Sequence, residues 1–200
     1  VTQIAKAVDG DVEEIRARHA RMLEKLTTSG NLAAATDGVV EYHAPMDATR
    51  TGFAENQFDC IFSNSVLEHV PPDVIDAMYV AALRILDANG VMFHSVNCGD
   101  HYAYVDRSIH QLHYLRYSDA QWTRWNNAFL YQNRMRAHVF VERAEDLGFQ
   151  ILLNTAKPSE LRMQQLASTP VHAQFAGIPP ERLCITSVDF IARKIGRSDP

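Results

Sequence analysis

No stretch of this 200-residue chain approaches the roughly 20 consecutive apolar residues that cross a bilayer, so no membrane span is expected. Residues 1–6 also lack the charged-then-apolar run of a secretory signal. Cysteine is scarce. Cys60, Cys98 and Cys184 are an odd number, far apart and without a CxxC pair, which predicts reduced thiols rather than a disulfide framework. Cys60 and Cys184 fall within apolar, strand-like runs. Positive charge is not in excess: 19 Lys and Arg face 24 Asp and Glu, for a formal charge of -5. That balance offers no electrostatic footprint for tracking phosphates and argues against a nucleic-acid partner. Together these absences predict a cytoplasmic location.

What is present suits one α/β domain over residues 1–200, with a hydrophobic share of 46% and a charged share of 22%. Strand-like and helix-like segments alternate, which predicts a mostly parallel sheet covered on both faces. A strand end is expected at 4–8. Asp11 then caps a helix, with Glu14 completing a capping box. Val12, Ile15, His19, Met22, Leu23 and Leu26 share a face, and Gly30 stops the helix. A short strand is expected at 39–43 and a nearly continuous apolar one, suited to the sheet centre, at 58–64. Pro71-Pro72 opens a helix whose inner face is Ile75, Met78, Tyr79, Ala82, Leu83 and Leu86, with Gly90 as its C-cap. Strands follow at 91–96, 149–154 and 183–194, with helices at 118–125, 137–147 and 159–166. Ser118 and Gln121 carry a second capping-box signal. Residues 99–136 are irregular and rich in His, Tyr, Trp and Arg. They form an elaboration over the carboxyl ends of the strands, where open α/β sheets bind ligands.

Three local patterns bear on chemistry. Asp9, at a strand end before a capped helix, can accept from a ribose diol, a device shared with NAD-binding folds; it is equally placed to serve as a turn residue. Met46 and Asp47, after the 39–43 segment, offer an apolar wall and a carboxylate for an adenine amine, or simply start a turn. The third pattern is the run Phe58-Asp59-Cys60-Ile61-Phe62-Ser63-Asn64-Ser65-Val66-Leu67-Glu68-His69-Val70-Pro71. It resembles the fourth strand and following loop of class I S-adenosylmethionine-dependent methyltransferases of the small-molecule type. The resemblance extends through Gly148-Phe149 to the final strand hairpin. It implies a Rossmann-like sheet with an antiparallel last strand, S-adenosylmethionine as cofactor, Asp9 and Gly10 at its ribose, and Met46, Asp47 and Ala48 at its adenine. Ser63 and Asn64 are then cofactor contacts at the strand end. Asp100-His101, Asp106, Leu115 to Ser118, Trp122 and Asn133 to Arg136 are similar to a bacterial subgroup, some members of which are associated with surface-polysaccharide synthesis.

The chain departs from that pattern in one respect: nothing before Asp9 resembles the family's first strand and glycine-rich loop. A sheet lacking that central strand would carry exposed edges, so further residues are expected ahead of Val1. The implied activity is methyl transfer to a small-molecule or glycan acceptor, at oxygen. A catalytically inactive, methyltransferase-like binding domain is the other reading, and a nicotinamide dehydrogenase a third. A hydroxyl acceptor benefits from a general base. His101, beside Asp100, is the first choice, against a role as a polar loop histidine. Arg134 and Arg136 are candidates for a substrate carboxylate or phosphate, with Asp106 a further substrate contact. Alternatively, one arginine anchors the elaboration through Asp106. His69 is expected to pack. His110 and His113 have metal-like spacing but no matching carboxylate or cysteine set, so no metal is expected. Trp122 and Trp125 pack the elaboration onto the core or wall a sugar site. The Ser63-Asn64-Ser65-Val66 loop differs from the Asn-Pro-Pro-aromatic type of enzymes that methylate nucleic-acid amines.

Overall fold

The computed structural model describes residues 10–127 and 129–195; the strand end expected at 4–8 and Asp9 lie outside them. The structure divides into two compact units, Val1–Met46 and Asp47–Pro200. In the first, helix α1 (Val12–Ser29) starts at Asp11, whose Oδ1 accepts the N–H groups of Glu13 at 2.7 Å and Glu14 at 3.0 Å. Glu14 thus contributes its N–H to the cap, and its carboxylate does not close the expected box. Gly30 ends the helix with φ 62, a left-handed value that glycine adopts without a Cβ penalty. Helix α2 (Leu32–Ala35) follows. The strand expected at 39–43 does not form. No described strand pairs with it, so its backbone groups find no ladder, and Val39 and Tyr42 stay exposed.

The second unit holds β1 (Phe58–Asn64), α3 (Pro72–Ile85), β2 (Leu86–Asn97), α4 (Asp119–Trp122), α5 (Ala137–Asp146), β3 (Phe149–Asn154), α6 (Glu160–Ala167), α7 (Pro180–Leu183) and β4 (Ser187–Lys194). The sheet order is β1-β2-β4-β3. β1 pairs parallel with β2, while β4 lies antiparallel to both β2 and β3. Three strands therefore run one way and the last runs against them. This is the expected α/β sheet with an antiparallel final strand.

Local chemistry accounts for most of the boundaries. Pro72 opens α3, where its fixed φ suits a first turn and its missing N–H costs nothing. Ile75, Tyr79 and Ala82 recur at helical spacing and are buried against Met92, Val96, Phe140 and Phe190 in the core. The helix ends at Ile85 and passes directly into β2, so Gly90 is a strand residue and not a C-cap. Its role is close packing: a Cβ there would meet the backbone N and O of Asp87 at 3.0 Å. The β1–β2 register shifts at this point, Phe58 facing Leu86 and Cys60 facing Val91, so the extra residues bulge from the ladder. β1 departs from the buried central strand expected. It pairs only with β2 among the described residues, and Phe62 is 75% exposed.

The last strand is shorter than expected because Pro179-Pro180 starts α7, which takes up Leu183. Cys184 is buried just beyond that helix and outside any strand; Cys60 is exposed on β1, and all three thiols are free. The described residues of 99–136 contain no strand. Two 3-10 turns, at His101–Tyr104 and His113–Arg116, and α4 place Leu112, Tyr114, Leu115 and Trp122 in the core. The box of Ser118 and Gln121 is formed, although α4 stops at Trp122. No helix among the described residues is long and apolar enough to cross a membrane.

Candidate functional site

The parallel register of β1 and β2 brings two strand ends to one edge, with Asn64 opposite Ser95. The chain after β1 turns at Ser65, whose φ of 53 is left-handed and whose N–H donates to Ser95 O at 2.9 Å. A 3-10 turn, Leu67–His69, follows. After β2, Asp100 caps the 3-10 turn that begins at His101 by accepting the N–H of Tyr102 at 2.9 Å. Segment 131–133 ties the two turns together. Asn133 Nδ2 donates to Leu67 O at 2.7 Å and to Val70 O at 2.8 Å, and Asn133 N donates to Glu68 O at 2.8 Å. Gln132 accepts the N–H of His101 and donates to Gly99 O at 2.6 Å.

This scaffold gathers Glu68, His69 and His101, whose donor atoms all lie within 4.8 Å of one another. Glu68 is 1% exposed, and neither carboxylate oxygen has a hydrogen-bond partner. Burial pushes its pKa up, partly offset by the backbone of Glu68, by His69 and by the backbone of Asn97. His101 Nε2 is likewise buried without a partner. Burial, and then the neighbouring His69, hold the His101 pKa below the ordinary imidazole value, which favours the neutral ring. The rings of His69 and His101 meet edge-on at 5.0 Å, and the Tyr104 ring stands 5.6 Å from that of His101.

The expected partnership of Asp100 with His101 is not formed. The Asp100 carboxylate is buried, with Oδ2 3.6 Å from His113 Nδ1, and burial raises its pKa despite the Tyr102 N–H and His113. Asp100 and His113 form part of the polar edge of a cavity of about 150 Å³ walled by Tyr102, Tyr117, Trp122 and Trp125. Asp106 lines the same cavity, accepting from Ser108 N and Oγ, bonds that hold its pKa low.

Arg134 and Arg136 are committed to the protein itself. Arg134 donates to Tyr114 O at 3.0 Å, to Tyr117 O and to Asp119, and lies over the rings of Trp122 and Phe175. The anchoring acid is thus Asp119 and not Asp106, because α4 presents Asp119 at its first turn. Arg136, 1% exposed, donates to Cys98 O and the Tyr114 hydroxyl at 2.7 Å, to Leu183 O at 2.9 Å and to Ile185 O. Neither guanidinium is free to bind an anionic substrate.

Of the expected cofactor contacts, Asp9 is outside the described residues; Gly10, just ahead of the Asp11 cap, and Met46 belong to the first unit. Asp47, in the second, accepts from Thr49 N at 2.8 Å and Thr49 Oγ1 at 2.7 Å, bonds that lower its pKa. Ala48 lines a cavity of about 320 Å³ with Phe53, Phe58, Phe62, Tyr79 and His94. Ser63 Oγ pairs with His94 Nδ1 at 2.7 Å, and burial pushes the His94 pKa down to about 4. Asn64 is exposed at the strand end. His110 and His113 do not converge as ligands: His110 engages Leu112 N and Thr169, and His113 engages Asp100 and Arg116. Glu68 is a site residue that sequence reasoning missed, and His69, expected only to pack, stands beside it in the cluster. The signal was a carboxylate beside a histidine just past one strand end, with a second histidine past the next.

A family model described as a methyltransferase domain matches residues 11–94. No curated protein was found to match the chain. Among solved structures, the chain is similar to an SAM-dependent methyltransferase from Methanosarcina mazei, with 16% identity, a TM-score of 0.45 and coverage of 74% of this chain and 64% of that one. It is also similar to the 1,6-didemethyltoxoflavin-N1-methyltransferase of Burkholderia thailandensis, solved with 1,6-didemethyltoxoflavin and S-adenosylhomocysteine. There the identity is 13% and the TM-score 0.42, covering 74% of this chain and 48% of that one. The chain spans less than two thirds of the length of either. Both likenesses are loose, and assignment of roles rests on this chain's own residues.

Proposed function

We propose that the chain serves an S-adenosylmethionine-dependent methyltransferase activity that methylates an oxygen of a small-molecule or glycan acceptor. The observation that carries this reading is the methyltransferase-domain match over residues 11–94, a segment that includes β1 and the turn bearing Glu68 and His69. Within the second unit, the cofactor contacts assigned to it are Asp47, Ala48, Ser63 and Asn64. A sulfonium methyl is already strongly electrophilic, so the protein's main task is to hold the acceptor in line with the sulfur–methyl bond. The acceptor hydroxyl must also become a better nucleophile. His101, whose buried Nε2 at the strand-end edge has no hydrogen-bond partner, is the residue to which we assign that activation.

The aromatic cavity supports a choice of acceptor. Flat faces of Tyr102, Tyr117, Trp122 and Trp125 suit the C–H faces of a sugar, and Asp100, Asp106 and His113 suit its hydroxyls. Arg134 and Arg136 are spent inside the protein, which favours a neutral polyhydroxyl acceptor over a carboxylate or phosphate. The formal charge of -5 favours neither nucleic acid nor other polyanions.

The test is methyl transfer from labelled S-adenosylmethionine to two acceptor sets, neutral glycans and small anionic acids. Release of S-adenosylhomocysteine with the glycan set, and a base-stable methyl ether in the product, is the expected result. Turnover confined to the acids, or a methylated nitrogen, would contradict the acceptor assignment.

A further inference from the structure

We propose that Glu68, His69 and His101 form a binding site for one divalent first-row transition ion of the zinc class. Three observations converge. The donor atoms lie within 4.8 Å of one another, close enough for side-chain rotation to bring them to the about 2.0–2.2 Å at which nitrogen and oxygen ligate zinc. Both oxygens of a buried carboxylate and the Nε2 of His101 lack any partner. Buried polar atoms without partners are rare and costly, and an ion satisfies all three at once. Finally, His69 Nδ1 stands 2.7 Å from Tyr131 O. A carbonyl only accepts, so Nδ1 donates to it and Nε2 is the nitrogen left to ligate. Orienting a ligating imidazole through a backbone carbonyl is the usual second layer of a metal site.

The donor set selects the ion. Two imidazoles and one carboxylate suit zinc, cobalt, nickel or ferrous iron, whereas magnesium and calcium take oxygen ligands. Asn133 fixes the turn that carries Glu68 and His69, and Gln132 holds the backbone of His101, so the set is built in place by hydrogen bonds. Three protein ligands leave a position for water or for an acceptor oxygen. That second use rests on the methyl-transfer reading: a cation bound there would lower the pKa of a hydroxyl it ligates, the hydroxyl proton would pass to solvent water, and His101 would then assist as a ligand and not as the proton acceptor. Binding of the ion does not depend on that reading.

The experiment is a Co2+ titration of chelator-treated, dialysed protein, followed by its visible absorption, with Zn2+ as the competitor. One equivalent of Co2+ should saturate the spectrum, and Zn2+ should abolish it. Glu68→Gln, His101→Gln and His69→Gln should each weaken binding by about a hundredfold or more, since even outer-layer changes cost 10–100-fold. His69 is less buried than Glu68, and circular dichroism identifies any variant that fails to fold. Absence of Co2+ uptake by the folded parent, or equal affinity in the folded variants, would overturn the site. S-adenosylhomocysteine titrated into the same samples separates the two proposals. Cofactor binding without Co2+ uptake removes only the metal site, and Co2+ uptake without cofactor binding removes only the methyl-transfer reading.

Discussion

Replacing Arg136 with alanine should lower the unfolding free energy by about 3–5 kcal/mol, because each buried acceptor left without a donor costs about 1–3 kcal/mol. The guanidinium is almost fully buried and supplies hydrogens to Leu183 O and Ile185 O behind the core, and to Cys98 O and the Tyr114 hydroxyl beside it. These acceptors come from the end of α7, the loop before β4, the end of β2 and the 99–136 segment. One side chain thus ties four parts of the second unit. No carboxylate pairs with it among its hydrogen-bond partners; carbonyl and hydroxyl dipoles hold its charge. Arg136→Met fills most of the volume without the donors, so it should recover little of the loss. Urea denaturation of both variants at constant m-value measures this. A loss under about 1 kcal/mol in Arg136→Ala, the level of a single ordinary hydrogen bond, would show that the ties are dispensable.

Changing His101 to alanine should reduce kcat by about 10²–10⁴-fold, the range for losing a group that assists proton removal from a reacting hydroxyl. Affinity for S-adenosylhomocysteine should stay within about twofold, because the variant removes nothing from the assigned cofactor contacts. The asymmetry separates an acceptor-side role from loss of the fold, which would depress both. Steady-state kinetics with a glycan acceptor, paired with calorimetric cofactor titration, reads the two quantities. An unchanged kcat would remove His101 from acceptor activation.

Much of the fold is legible in the sequence where a local pattern suffices. Pro71-Pro72 with Ile75, Tyr79 and Ala82 announces α3, and Gly148-Phe149 marks the passage from α5 to β3. Gly90 misleads because α3 runs into β2 without a linker, and a glycine demanded by a bulge looks the same in sequence as a C-cap. The 39–43 segment has strand-like residues, but a strand exists only where a neighbour takes its hydrogen bonds, and no single segment displays its neighbour. The arginines show the same limit. Arg134 and Arg136 advertise anion binding by type, and only the folded chain reveals carbonyls of residues 114, 117, 183 and 185 already waiting for them.

The site follows the same rule. His101 and Asp100 stand out beside a strand end, but adjacency in sequence does not make a pair: the 3-10 turn sends the carboxylate toward His113 and the imidazole toward His69. Glu68 and His69 join His101 because β1 and β2 are parallel neighbours whose carboxyl ends share one edge.

The most direct test of the central claim is calorimetric titration of the protein with S-adenosylhomocysteine. Saturable one-to-one binding, weakened by substitution at Asp47 or Asn64 and indifferent to substitution at His101, is the predicted result. A folded sample that takes up no cofactor would contradict the assignment as a methyltransferase.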